Sequence, residues 1–208
     1  MLSIKKLSYR YSGSEELSFS DFTIEKGDKL LILGNSGTGK TTLLHLMSGL
    51  LKGQNGNIEL DNTDILKLNE TDRDHFRGQN IGLVFQKPHL IGSLSVLDNL
   101  LLCQYLAGLK KDANKIQQLL TEVGLKEKAN SKISELSQGQ SQRVSVVRAL
   151  LNDPKLILAD EPTSSLDDMN AKAVLDVLIK KTEENNSILI IATHDQRVKN
   201  SISNYHQL

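Results

Sequence analysis

The sequence predicts an α/β fold with a mainly parallel core sheet, an antiparallel β-region at the N-terminus and an inserted α-helical region. Three observations carry this expectation. Apolar runs of strand length recur at Lys29–Leu33, Ile81–Phe85, Leu156–Ala159 and Ile188–Ala192, each too short for a stable helix. Helix-periodic stretches separate such runs, and strand–helix–strand alternation is the pattern of a parallel sheet. The segment from Leu94 to about Leu151 is helical in texture, with breaks only near Gly108–Lys111 and Gly124. No Pro/Gly-rich linker flanks it, so it reads as an insertion into one core.

Taken in order, Leu2–Tyr9 and Leu17–Ile24 alternate with the period of strands and are separated from the next run by a Lys26-Gly27-Asp28 turn. Lys29–Leu33 has the form of a buried strand entering a glycine loop. Apolar positions from Lys40 to Leu51 fit a helix that stops near Gly53, and Asn57–Leu60 reads as a further strand. Ala171, Val174, Leu175, Leu178 and Ile179 repeat at helical spacing between the last two strand-length runs. A chain of 208 residues suffices for one sizeable core, so residues 1–208 are expected to form a single domain.

Composition narrows the function. Hydrophobic residues make up 38% and charged residues 24%, the balance of a folded globular chain rather than a disordered one. Lys+Arg and Asp+Glu are equal at 25 each, which argues against a chain built to coat nucleic acid, so no nucleic-acid partner is expected. The single cysteine, Cys103, lies in the apolar run Leu100–Cys103 and is expected to be a buried structural thiol. One cysteine makes no internal disulfide, which suits a reducing compartment. No stretch approaches the roughly 20 apolar residues that span a bilayer, and the N-terminus lacks a signal-peptide pattern. The expected location is cytoplasmic, with membrane association only through another protein.

The chemistry begins at Gly34-Asn35-Ser36-Gly37-Thr38-Gly39-Lys40-Thr41, which fits G-x-x-x-x-G-K-[ST] between a predicted strand and a predicted helix. Glycines allow successive backbone N–H groups to surround phosphate oxygens without Cβ clashes. The following helix points its positive end at the same anion. Lys40 reaches β- and γ-phosphates, and the Thr41 hydroxyl is placed to ligate Mg²⁺, with Thr42 next to it.

Leu156–Ala159 then delivers two adjacent carboxylates, Asp160 and Glu161, to the sheet edge where open α/β folds bind ligands. Adjacent residues at a strand end point apart, which divides the labour. Asp160 is assigned to Mg²⁺ and Glu161 to the attacking water as general base. Gln86 closes the strand Ile81–Phe85, where its amide can touch both Mg²⁺ and that water. His194 follows the last apolar run to the same edge; a lone histidine there is ordinarily a surface or capping residue.

Leu136-Ser137-Gln138-Gly139-Gln140-Ser141-Gln142-Arg143 resembles the signature of ATP-binding cassette (ABC) ATPases, usually written L-S-G-G-Q-x-Q-R. The resemblance covers essentially the whole chain. It implies a P-loop NTPase core and a head-to-tail homodimer with ATP, in which Ser137, Gly139 and Gln140 close over the nucleotide of the opposite subunit. It also implies an aromatic role at adenine for Tyr11, the Q-loop position for Gln86, a D-loop at Ser165-Leu166-Asp167 and the switch-histidine role for His194. The implied activity is Mg²⁺-dependent ATP hydrolysis that energises an integral membrane permease. The segments Arg77–Gln86 and Leu94–Asn99 look most like the lipoprotein-release, macrolide-export and cell-division branch. A soluble ABC ATPase acting on DNA or ribosomes is the rival, but those members carry long coiled coils or a second cassette. A regulator without turnover is disfavoured by the presence of Glu161 and His194. One departure stands out: Gln138 occupies the first glycine position of the signature, and altered affinity across the dimer is expected from it.

Overall fold

The computed structural model describes residues 1–35 and 37–208. An antiparallel sheet comes first, built on β1 (Leu2–Arg10), with β2 (Glu16–Ser18) and β3 (Phe22–Ile24) along one edge. Leu17–Ile24, read as one strand, is thus two short ones. The cause lies in β1, where Lys6 adopts a left-handed φ of 50° and its N–H turns to the Asp21 carboxylate at 2.6 Å. The register on the other edge shifts between Lys5 and Ser8, the mark of a β-bulge. Gly56 sits against the bulge, and a Cβ there would come within 2.5 Å of the Lys5 carbonyl oxygen.

β4 (Lys29–Leu33) leads through the glycine loop into α1 (Lys40–Met47). That helix ends earlier than its apolar pattern, because Ser48 caps it and Gly49 turns left-handed at φ 69°. β5 (Asn55–Leu60) and β6 (Thr63–Asp64) complete the antiparallel sheet, in the order β2-β1-β5-β6 with β3 also on β1. The next elements are α2 (Glu70–Asn80) and β7 (Ile81–Val84). The helical stretch resolves into α3 (Val96–Leu106), α4 (Ala113–Glu122), 3-10 turns at Lys126–Lys128 and Ile133–Glu135, and α5 (Gln138–Leu150). β8 (Leu156–Asp160), α6 (Asp168–Glu184), β9 (Ile188–Ala192), α7 (Gln196–Lys199) and β10 (Tyr205–Gln207) follow.

The second sheet runs β10-β4-β9-β8-β7, with every pairing parallel. Its side chains alternate between two cores, as a period of two requires. Leu156, Leu158, Ile188 and Ile190 join α1 and the antiparallel sheet, whereas Ile157, Ala159, Leu189 and Ile191 join α5, α6 and the helices beyond. Both faces are covered, which explains the uninterrupted apolar character of these strands. α5 lies directly on β7: a Cβ on Gly82 would overlap the carbonyl oxygen of Ala149. No helix among the described residues is long and apolar enough to cross a membrane.

Candidate nucleotide site

The sheet order places four loops side by side at the C-terminal edge: the glycine loop after β4, His194 after β9, Asp160–Glu161 at β8 and Gln86 after β7. This is the edge where parallel sheets collect ligand-binding loops. Within the glycine loop, Gly37 and Gly39 have φ of 85° and 96°, a conformation that costs most other residues free energy. Ser36 lies outside the described residues. Thr38 donates its hydroxyl to the Asn35 carbonyl at 3.0 Å, and a Cβ on Gly34 would meet that hydroxyl at 2.6 Å. The Lys40 ammonium arches over the loop and donates to the carbonyls of Gly34 (2.8 Å) and Asn35 (2.9 Å).

Lys40 and Thr41 open α1, and the Thr41 hydroxyl donates to Asp160 Oδ2 at 2.6 Å. Two of the three predicted Mg²⁺ ligands, Thr41 and Asp160, are therefore adjacent, although 119 residues apart in sequence. Burial pushes the Asp160 carboxyl above its ordinary 3.8, the Thr41 bond opposes this, and the neighbouring Glu161 charge adds to it. Oxygen donors of this kind suit a hard divalent cation that draws its remaining ligands from phosphate and water.

Glu161 is 7% exposed and occupies the left-handed region at φ 47°. Its N–H continues the sheet by donating to the Ala192 carbonyl, while its carboxylate is gripped from the turn just after β9. Oε2 accepts the Thr193 hydroxyl at 2.9 Å; Oε1 accepts the His194 backbone N–H at 3.1 Å and lies 2.7 Å from His194 Nδ1. When the carboxylate is ionised it can only accept, and Nδ1 is then the donor of this pair. The other imidazole nitrogen, on a side chain 80% exposed, is left for a ligand.

The remaining predicted residues are satisfied locally. The Tyr11 hydroxyl pairs with the Thr42 hydroxyl at 3.2 Å, and its ring packs edge-on to Tyr9. Asp167 caps α6, accepting the Asn170 N–H at 2.8 Å and its side-chain amide at 2.7 Å, which holds the carboxyl below its ordinary range. Gln86 is exposed, but the Phe85 carbonyl before it accepts the side-chain amide of Gln142 from α5 at 3.1 Å. Ser137 and Gln140 form a reciprocal capping box at the start of α5, with bonds of 3.1 and 2.9 Å. Gly139 abuts the D-loop of its own chain, since a Cβ there would meet Leu166 Cδ2 at 3.2 Å. Among the described residues, no hydrogen bond joins Ser137, Gly139 or Gln140 to the glycine loop.

Sequence reasoning missed Thr163, Thr193, Asp195 and Arg197, which brace the loops from behind. Thr163 donates its hydroxyl to Asp195 at 2.6 Å, and Arg197 chelates the same carboxylate. Asp195 is in the N-cap position of a short helix, a signal visible in sequence. Nothing in the spacing pairs it with Thr163, 32 residues away.

A glycine-rich phosphate loop beside a carboxylate pair on a parallel sheet defines a nucleotide-binding ATPase of the P-loop class. The profile of the ABC transporter family matches residues 17–164, and the chain belongs to that family. It is 43% identical over 186 residues to the lipoprotein-releasing system ATP-binding protein LolD of Legionella pneumophila strain Lens, covering 88% of this chain and 82% of that one. It is 39% identical over 194 residues to HrtA of Staphylococcus epidermidis strain ATCC 12228, provisionally named for hemin import, covering 92% and 87%. The dimeric structure of the cassette MJ0796 superposes with a TM-score of 0.93 at 31% identity, covering all of this chain and 94% of that one. A dimer of MJ0796 in a post-hydrolysis state with ADP and phosphate gives 0.91 at 30% identity, again over 100% and 94%. The chain is an ATP-binding, ATP-hydrolysing subunit of this family.

Proposed function

We propose that residues 1–208 form one ABC ATPase domain, with the helical segment of about 94–151 inserted in it, that drives an integral membrane permease of the lipoprotein-release type. The chain works at the cytoplasmic face as a head-to-tail homodimer closed by ATP. The reading rests chiefly on one observation: Lys40, Thr41, Asp160, Glu161 and His194 converge at one sheet edge, while the signature turn lies outside that cluster.

Lys40 and the loop N–H groups bind the β- and γ-phosphates, and Tyr11 meets the adenine. Thr41 and Asp160, with Gln86, hold Mg²⁺, which supplies charge neutralisation at the phosphates when bound. Glu161 orients water for in-line attack and accepts its proton, and His194 contacts the γ-phosphate. Ser137, Gly139 and Gln140 of each subunit complete the site of the other, next to Asp167. The likeness to LolD supports the lipoprotein-release assignment; the likeness to HrtA, named for hemin import, supports the transporter role alone.

The test is Glu161→Gln. Turnover is expected to fall about a thousand-fold, within the range of losing a general base, while ATP produces a stable dimer by light scattering. Tagged E161Q captured with ATP from detergent-solubilised membranes should bring down one permease-like protein in stoichiometric amount. Near-normal turnover would remove Glu161 from its role, and recovery of only soluble partners would overturn the transport assignment.

A further inference from the structure

Behind the hydrolytic centre, Arg197 makes a set of bonds that none of the roles above uses. Its Nε and Nη2 chelate Asp195 at 2.7–3.0 Å, the residue next to His194. Its Nη2 also donates to the Thr163 carbonyl at 3.2 Å, and its Nη1 to the Leu166 carbonyl at 3.2 Å and to Asp168 at 2.8 Å. One guanidinium thus fastens the turn after β9 to Thr163, Leu166 and Asp168, on and either side of the D-loop. Asp195 takes the Thr163 hydroxyl as well, and its own N–H bonds to the Thr193 hydroxyl that grips Glu161. On the far side, the Leu166 side chain lies against Gly139 of the signature turn. A continuous run of contacts therefore leads from Glu161 through Thr193, Asp195, Arg197 and Leu166 to Gly139.

We propose that Arg197 is a positioning residue that locks a protomer's own hydrolytic centre to the signature surface it lends to its partner. Movement at Glu161 and His194 is then transmitted to the opposite site, and the two sites fire together. The inference rests on the head-to-tail reading above. Only a planar fork with five donors spans two carboxylates and two carbonyls at once. Lysine keeps the charge but not the span, so Arg197→Lys and Arg197→Gln separate electrostatics from geometry. The pair pulls the Asp195 carboxyl well below its ordinary 3.8; the variants weaken or remove that pull, yet a carboxyl in its ordinary range is still charged at neutral pH.

The experiment measures three things on the full chain: affinity of the isolated protomer for a fluorescent ATP analogue, the ATP concentration that half-dimerises E161Q, and the Hill coefficient of turnover. For R197Q, analogue affinity should stay within about twofold while the half-dimerisation concentration rises about tenfold. The Hill coefficient should fall from about two towards about one, with R197K intermediate. Leu166→Ala should reproduce the effect, and the double variant should be no worse than either single one, as for residues in one chain of coupling. Unchanged dimerisation and cooperativity in R197Q would overturn the proposal. So would a parallel loss of analogue affinity, which would mark a merely structural role. Failure of E161Q with intact Arg197 to dimerise would instead refute the dimer reading on which the inference stands, and the inference with it.

Discussion

Glu161 and Ser137 both sit where the chain leaves one kind of structure for another, yet their surroundings differ sharply. Glu161 is buried and held by Thr193 and His194, in the turn just after β9. Ser137 is exposed, and its hydroxyl is engaged by the Gln140 N–H three residues on. The hydrolytic end is thus organised by long-range contacts across a sheet, whereas the signature turn is organised by its own four residues. The first depends on the whole core being folded; the second is a turn preformed by its own capping box. Under the proposed dimer, the first would carry the chemistry and the second would act on the partner's nucleotide.

Three substitutions sharpen that contrast. Thr193→Val should have the largest effect, because Thr193 both donates to Glu161 and accepts the Asp195 N–H. It leaves buried polar groups unpaired, a loss of about 1–3 kcal/mol, and turnover should fall about tenfold as the carboxylate loses its aim. Denaturant melts and steady-state assays check both. Ser137→Ala removes the cap of α5 and should cost about 1 kcal/mol, lowering the melting temperature by about 2–4 °C. Equal loss of stability from the two variants would erase the distinction between the ends. Gln138→Gly should have the smallest effect, below about 1 kcal/mol on stability, but should alter ATP affinity or turnover in the dimer. No change in either would show that the missing signature glycine is immaterial.

Much of the site was legible because its residues are dictated by backbone geometry. Gly37 and Gly39 stand where φ is positive, and Asp160–Glu161 and His194 follow strands whose apolar runs are unambiguous. Four of the five parallel strands were equally plain as apolar runs; β10, a short edge strand with exposed residues, was not. α2 was not foreseen, for a physical reason: none of its eleven residues is buried, so no apolar stripe betrays it. The split of Leu17–Ile24 was invisible because its cause, the bulge at Lys6, lies on a neighbouring strand. The brace formed by Thr163, Asp195 and Arg197 stayed hidden because ion pairs between loops leave no periodicity.

The left-handed backbone at Glu161 bears on how such a chain evolves. A β-carbon in that conformation disfavours the native state by about 1 kcal/mol or more, and glycine or asparagine would occupy the position more comfortably. A sequence optimised for robustness alone would drift towards one of them and lose the carboxylate proposed as its general base. The glutamate is therefore a place where selection for turnover opposes selection for a sturdier fold, and thermostabilised variants of this chain should be screened first for its loss.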